Sequence, residues 1–172
     1  MSETYEYALA VTSQFPFCSI PLRLDSYSRC QFACRYCFAS ARAGASPTGR
    51  IKAAKPEAFA RRLARLAKGG EPRSVLDEML AARIPIHFGG LSDPLMPMER
   101  QAEVTLALLK VLREHSYPTV ISTKSTLCAS PRYLDVLEGG RFVVQISLPT
   151  LSDNLSQRVD SGVPRVASRQ VV

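Results

Sequence analysis

A chain of 172 residues, 46% of them apolar, can bury one substantial core and is read as a single domain. Lys and Arg outnumber Asp and Glu 22 to 15, with much of the surplus between Arg42 and Arg73, which reads first as a solvated helix face and otherwise suits a polyanion such as nucleic acid. No run is long and apolar enough to span a bilayer, and Met1-Ser-Glu-Thr-Tyr has no basic head before an apolar block; the expectation is a cytoplasmic protein with no membrane partner.

The chain up to Gln14 carries no motif and is read as a lead-in packed across one end of the domain. Phe15-Pro-Phe-Cys18-Ser-Ile-Pro21 mixes apolar bulk with two prolines, which stops a helix and suits an extended approach to a sheet. Among those neighbours Cys18 is expected to be a small buried hydrophobe. Leu22 to Tyr27 alternates apolar and polar, the period of a strand, and delivers the chain into Cys30-Gln-Phe-Ala-Cys-Arg-Tyr-Cys-Phe38.

Three thiols thus fall within eight positions, Cys30, Cys34 and Cys37. Thiolates are soft, anionic ligands for iron, zinc or copper(I). An iron–sulfur cube anchored by three of them keeps one iron without a protein ligand. Zinc would need a fourth donor to close its tetrahedron, from Cys18 or another distant residue, since Cys128 stands alone and the only histidines are His87 and His115. A disulfide within so short a loop is the least expected outcome.

Ala39 to Lys55, rich in Ala, Gly, Ser and Pro, reads as an exposed connection. Pro56 opens a helix with Phe59, Leu63 and Leu66 at helical spacing, closed by Gly69-Gly70, with Arg61, Arg62, Arg65 and Lys68 at other positions. Ser74 caps a second helix that ends near Arg83. Ile84 to Phe88 is a second strand stopping at Gly89-Gly90, where missing β-carbons let another molecule approach or simply form a turn; His87 on this strand reads as a packing residue. Glu99 to His115 is read as one amphipathic helix.

Thr119 to Thr123 is a β-branched third strand with Lys124 and Ser125 at its carboxyl end. Ser130-Pro131 opens a helix through Leu137, and Phe142 to Leu148 is a fourth strand with Gln145 and Ser147 on one face. A further helix begins near Leu151. Strand followed by helix recurs four times, which argues for an α/β fold of parallel βα units in a barrel-like sheet.

The spacing Cys30-x3-Cys34-x2-Cys37, with Tyr36 before the last thiol, resembles the signature of the radical S-adenosylmethionine (SAM) superfamily. Pro21-Leu-Arg-Leu-Asp25-Ser-Tyr27, Gly89-Gly-Leu-Ser-Asp93-Pro94 and Thr123-Lys124-Ser125 resemble the branch related to spore photoproduct lyase, and the likeness runs from about Phe15 to Arg169. It implies a partial parallel (β/α) barrel of the radical SAM type. The family has six units and this chain ends near its fourth, so a missing C-terminal segment or an oligomer is expected to cover the edge of the strand beginning at Phe142.

The resemblance further implies a 4Fe-4S cluster on Cys30, Cys34 and Cys37 and SAM as second cofactor. Tyr36 and Phe38 would lie against its adenine; plain packing under the loop is the alternative. Gly89, Gly90, Ser92 and Asp93 would hold its amino group in place of the usual Gly-Gly-Glu, and Lys124, unless it is a surface lysine, its carboxylate. Ser147 would face the ligand, while Asp160 and Arg169 stand where the family has a Glu and an Arg. The implied reaction is reductive cleavage of SAM to a 5′-deoxyadenosyl radical, fed by an external one-electron donor, for hydrogen abstraction from an unassigned substrate, nucleic acid among the candidates. No residue is assigned as catalytic: the hydrogen-donating cysteine of the lyase is replaced here by Gly90, so its repair reaction does not carry over. The alternative is a non-catalytic zinc or iron–sulfur module that binds nucleic acid.

Overall fold

Alternation along the strand segments sends their apolar side chains to one side. Leu22 and Leu24, Ile86 and Phe88, and Thr119, Ile121 and Thr123 are buried, while His87, Val120 and Ser122 between them are half-buried. The computed structural model describes residues 4–12, 19–41 and 49–172. Cys18, most of the proline-bracketed approach and the Arg42 end of the basic stretch lie outside those residues.

The strands are β1 (Leu9–Val11), β2 (Leu22–Leu24), β3 (Ala33–Cys34), β4 (Ile86–Phe88), β5 (Thr119–Thr123), β6 (Phe142–Ile146) and β7 (Asp160–Ser161). Five form one sheet in the order β1-β2-β4-β5-β6. β1 is antiparallel to β2; β2, β4, β5 and β6 are parallel and adjacent in chain order, with Leu22 opposite Ile86, Ile86 opposite Thr119 and Thr119 opposite Phe142. The parallel α/β organisation expected from the recurring strand–helix pattern is therefore present. Two pairings were not expected: the β1 edge, and a separate ladder in which β3 meets β7 and Cys34 stands opposite Asp160.

Helix α1 (Pro56–Ala67) starts with Pro56 in its first turn and buries Phe59 and Leu63. It ends in a Schellman turn in which Gly70 N–H reaches Arg65 O at 3.0 Å and Gly69 N–H reaches Leu66 O at 3.0 Å, Gly69 taking φ 79°. Helix α2 (Val75–Ala81) is capped by Ser74, whose hydroxyl accepts from Asp77 N–H at 3.2 Å.

The single helix expected from Glu99 to His115 is instead two, α3 (Glu99–Ala102) and α4 (Val104–Glu114), broken at Glu103 with φ 50°. The buried Glu99 carboxylate accounts for the break. It accepts the N–H groups of Thr105 at 3.0 Å and Leu106 at 2.9 Å, satisfying amides at the start of α4, and it also binds the hydroxyls of Tyr27 and Tyr133.

Leu106, Leu108, Leu109 and Leu112 of α4 meet Leu22, Leu24, Ile86, Phe88 and Ile121 of the sheet in one core, joined by Tyr133 and Val136 of α5 (Pro131–Glu138). Each such side chain contributes about 2 kcal/mol, which makes α4 a main anchor of the sheet. The opposite face presents Arg23, His87, Val120, Ser122, Val143 and Gln145, and Val143 is 57% exposed. Helices α6 (Asp153–Val159) and α7 (Val166–Gln170) flank β7. Among the described residues no helix is long and apolar enough to cross a membrane.

Candidate metal and cofactor site

The carboxyl ends of β2, β4 and β5 are tied together by carboxylates. Gly89 takes φ 95°, and a β-carbon there would come within 2.7 Å of both Pro94 and the Ser122 carbonyl, so the sharp exit from β4 requires glycine. Gly90 faces the Arg23 side chain, 3.4 Å from where its β-carbon would stand. The close approach at both glycines is thus made by this chain's own atoms. Just beyond, Leu91 and Ser92 donate their N–H groups to Asp25 Oδ1 at 2.7 and 3.1 Å, and Ser92 Oγ donates to Tyr27 O at 2.7 Å.

Asp93 also turns inward. Its Oδ1 accepts from Thr123 Oγ1 at 2.6 Å and Leu95 N–H at 2.9 Å, and its Oδ2 accepts from Lys124 N–H at 2.6 Å. Burial pushes this carboxyl up in spite of those donors. Its own N–H points at Cys30 Sγ, 3.4 Å away. One residue therefore holds both the cysteine loop and the end of β5. Ser92 and Asp93 act in this arrangement as framework, with their polar atoms taken up internally.

The three thiols form no disulfide and are half-buried. Cys30 and Cys34 pack against Tyr27, Phe32 and Met96, and Cys37 N–H donates to Cys34 O at 3.1 Å. Cys30 lies within electrostatic reach of both Cys34 and Cys37. Burial pushes the Cys30 thiol up to about 11; burial and then the Asp160 carboxylate push Cys34 up to about 12. Cys128 is buried apart from them, its Sγ 3.4 Å from Ser125 O.

Among the described residues no set of three Cys, His, Asp or Glu side chains is gathered closely enough to hold a metal ion. The donor set still fits an iron–sulfur cluster in its chemistry. Three thiols share one loop, a backbone N–H already faces one sulfur, and the Lys124 ammonium lowers the cost of a thiolate at Cys34. Asp160 is the obvious fourth donor for zinc, but its oxygens are engaged by Tyr36 and Arg169.

Lys124 gathers the rest of the site. Its Nζ donates to Tyr36 Oη at 2.6 Å and to Ser147 Oγ at 2.8 Å, stands 3.6 Å from Asp160 Oδ1, and lies 5.2 Å from the centre of the Tyr36 ring. Tyr36 in turn donates to Asp160 Oδ1 at 2.6 Å, and burial followed by that carboxylate pushes its phenol up. Arg169, fully buried, donates to Asp160 Oδ2 at 3.4 Å, Ser147 O at 2.9 Å and Ser156 Oγ at 2.7 Å.

Of the residues singled out in the sequence, Tyr36, Lys124 and Ser147 converge directly, and Cys30 and Asp93 join them through the backbone of Lys124. Phe38 is 44% exposed in the short turn after Cys37. The sequence reading gave little weight to Asp160, which proves to be the hub linking the cysteine loop, Lys124 and Arg169. Its β7 segment has only two residues, too short for any periodic signal. No family model, curated protein or solved structure matches this chain.

Proposed function

We propose that the chain is the core of a radical SAM enzyme, a partial (β/α) barrel in which Cys30, Cys34 and Cys37 hold a 4Fe-4S cluster and Tyr36, Lys124 and Ser147 hold SAM. The observation that carries this reading is the double role of Asp93: it binds Cys30 Sγ through its N–H and Lys124 N–H through its carboxylate, fixing thiol loop and cation to one another. Four parallel strands adjacent in chain order agree with a barrel segment. The cluster with SAM supplies, when bound, a one-electron reductive cleavage that yields a 5′-deoxyadenosyl radical, given an external electron donor.

The chain's own residues supply the remainder. Lys124, an ammonium at the carboxyl end of a parallel strand, would exchange its Tyr36 and Ser147 hydroxyl contacts for the methionine carboxylate, a charge-assisted and stronger bond. Asp160, backed by Arg169, holds the Tyr36 ring beside that cation and anchors β3 through the ladder with β7. Tyr27, Phe32 and Met96 close the underside of the loop against water. Bringing the three sulfurs onto a cluster would fall to the Cys30–Cys37 loop itself.

The polyanion reading is weakened because Arg62 and Arg65 both spend their charge on the buried Asp77. Anaerobic reconstitution with iron and sulfide, followed by metal analysis and visible absorption, separates the cluster from a zinc module. Brown protein that releases methionine and 5′-deoxyadenosine from SAM with dithionite is the expected result; colourless, zinc-loaded protein rejects the enzyme.

A further inference from the structure

The charges that flank the cysteine loop are sorted by sign. Arg35, inside the loop, is exposed, and its N–H donates to Val159 O at 2.8 Å, which sets the exposed Arg158 beside it. Met98 N–H donates to Gln31 Oε1 at 2.6 Å, two residues before the exposed Arg100. Arg165, also exposed, lines a cavity with Asp160 and Gly162, and a β-carbon on Gly162 would stand 3.9 Å from Gln31 O. On the remaining side the half-buried Arg29 donates from Nη1 to Gly49 O at 3.0 Å, and the half-buried Lys52 is held by its N–H on Ser28 Oγ at 2.9 Å.

Each carboxylate described on those segments is turned into the fold. Glu99 and Asp160 are buried, Asp93 has its oxygens taken by Thr123, Leu95 and Lys124, and the half-buried Asp153 takes the Val166 N–H at 2.8 Å. Among the described residues, exposed carboxylates stand instead on the helices, as at Glu78, Glu114, Asp135 and Glu138, or with Lys55 at the start of α1, as Glu6 and Glu57 do. The border of the thiols therefore shows solvent the guanidinium groups of Arg35, Arg100, Arg158 and Arg165 and no carboxylate of its own segments. In the same loop Phe38 is 44% exposed, an apolar side chain outside the set proposed to hold SAM.

We infer that this border is the docking surface of the electron donor, and that the donor is a small carrier protein with a carboxylate-rich face around an apolar centre. Guanidinium forks take carboxylates two-pronged, and an apolar centre surrounded by charge is the anatomy of a protein interface. The field of such a border speeds the encounter with an acidic partner and turns away a basic one, which suits a small contact that forms and parts for each electron passed. In that step the carrier loses one electron to the cluster, and no bond or proton moves. A strand of nucleic acid needs successive rings to stack on, and here Tyr36 is tied to Asp160 and Lys124, so the loop offers Phe38 for that role. That the partner is the electron donor rests on the radical SAM reading; the acidic docking does not.

The test is microscale thermophoresis of the N-terminally labelled, iron-free chain with three probes: a plant-type 2Fe-2S ferredoxin as an acidic carrier, cytochrome c as a basic carrier of similar size, and single-stranded DNA of about 20 nucleotides. Ferredoxin is expected to bind best, and roughly tenfold less tightly when salt rises from about 0.01 M to about 0.1 M and the screening length falls from about 30 to about 10 Å. The double variant Arg100→Glu, Arg158→Glu is expected to lose at least roughly tenfold in affinity, while Lys110→Glu, at an exposed lysine of α4, changes it less than about twofold. Salt-independent binding, DNA bound more tightly than ferredoxin at the same salt, cytochrome c bound as well as ferredoxin, an unchanged double variant, or an equal loss in Lys110→Glu overturns the inference. Protein that cleaves SAM with dithionite yet gives any of these results loses this surface alone. Protein that binds ferredoxin through the two arginines but takes up no cluster keeps the acidic docking and loses the donor role together with the radical enzyme.

Discussion

Tyr36 donates its phenolic hydrogen to Asp160 at 2.6 Å, across 124 positions of sequence. That bond closes the cysteine loop onto the segment between α6 and α7. It also orients the ring beneath Lys124, so the loop, the cation and the C-terminal helices are set as one unit.

Asp160→Ala removes the only carboxylate that faces the fully buried Arg169 among the ion pairs of the described residues. Removing one partner of a buried pair strands the other charge, at about 3 kcal/mol or more. Urea unfolding should show this loss. In Asp160→Asn the thiol of Cys34 should alkylate faster while that of Cys30 is unchanged, since Asp160 acts on Cys34. Equal acceleration of both would disconnect Asp160 from the loop.

Lys124→Ala should weaken SAM binding at least roughly tenfold in the reconstituted protein while the iron content stays constant. Anaerobic calorimetry with parallel iron analysis measures both. Unchanged affinity, or iron lost along with SAM, rejects the carboxylate role of Lys124.

Alkylation of the metal-free chain by iodoacetamide at pH 8 should be slow at Cys30 and Cys34. Thiols raised to about 11 and about 12 from 9.0 carry at least roughly a hundredfold less thiolate than ordinary ones. Mass spectrometry of timed digests gives the rates. Fast, equal labelling at both sites would contradict their burial.

Asp77 ties stability to acid pH. Burial alone would push its carboxyl up, but Arg73 N–H and the Arg62 and Arg65 guanidinium groups outweigh it and hold the value at about 2. A folded value below the unfolded one of 3.8 stabilises the protein above 3.8, and the contribution disappears as pH falls from there towards 2. Screening at the partly exposed arginines keeps it to about 1 kcal/mol. Asp77→Asn should flatten the pH dependence of stability across that interval, as followed by thermal unfolding.

Ser116→Gly should raise stability by about 1 kcal/mol. Ser116 sits at φ 45° in the Schellman turn after α4, with its N–H on Arg113 O at 2.8 Å and Tyr117 N–H on Leu112 O at 2.8 Å, and its side chain is exposed. Glycine keeps both bonds without the left-handed strain. A lower melting temperature in Ser116→Gly would count against this account.

The succession of parallel strands and helices from Leu22 to Phe142, the spacing of the three thiols along the chain and the place of Lys124 at a strand end were legible in the sequence, because each rests on local periodicity, a cap, a turn or the sequence itself. Thr119–Thr123 matched its expected bounds for that reason. The split at Glu103 was not legible, since it depends on a Glu99 carboxylate whose partners include Tyr27, 72 positions away. Nor was Asp160, which sits in a two-residue strand and gains its meaning from Tyr36, Cys34 and Arg169. Local pattern decides where elements form; only folding brings distant charges into a shared low-dielectric space, where each buried group must find a partner.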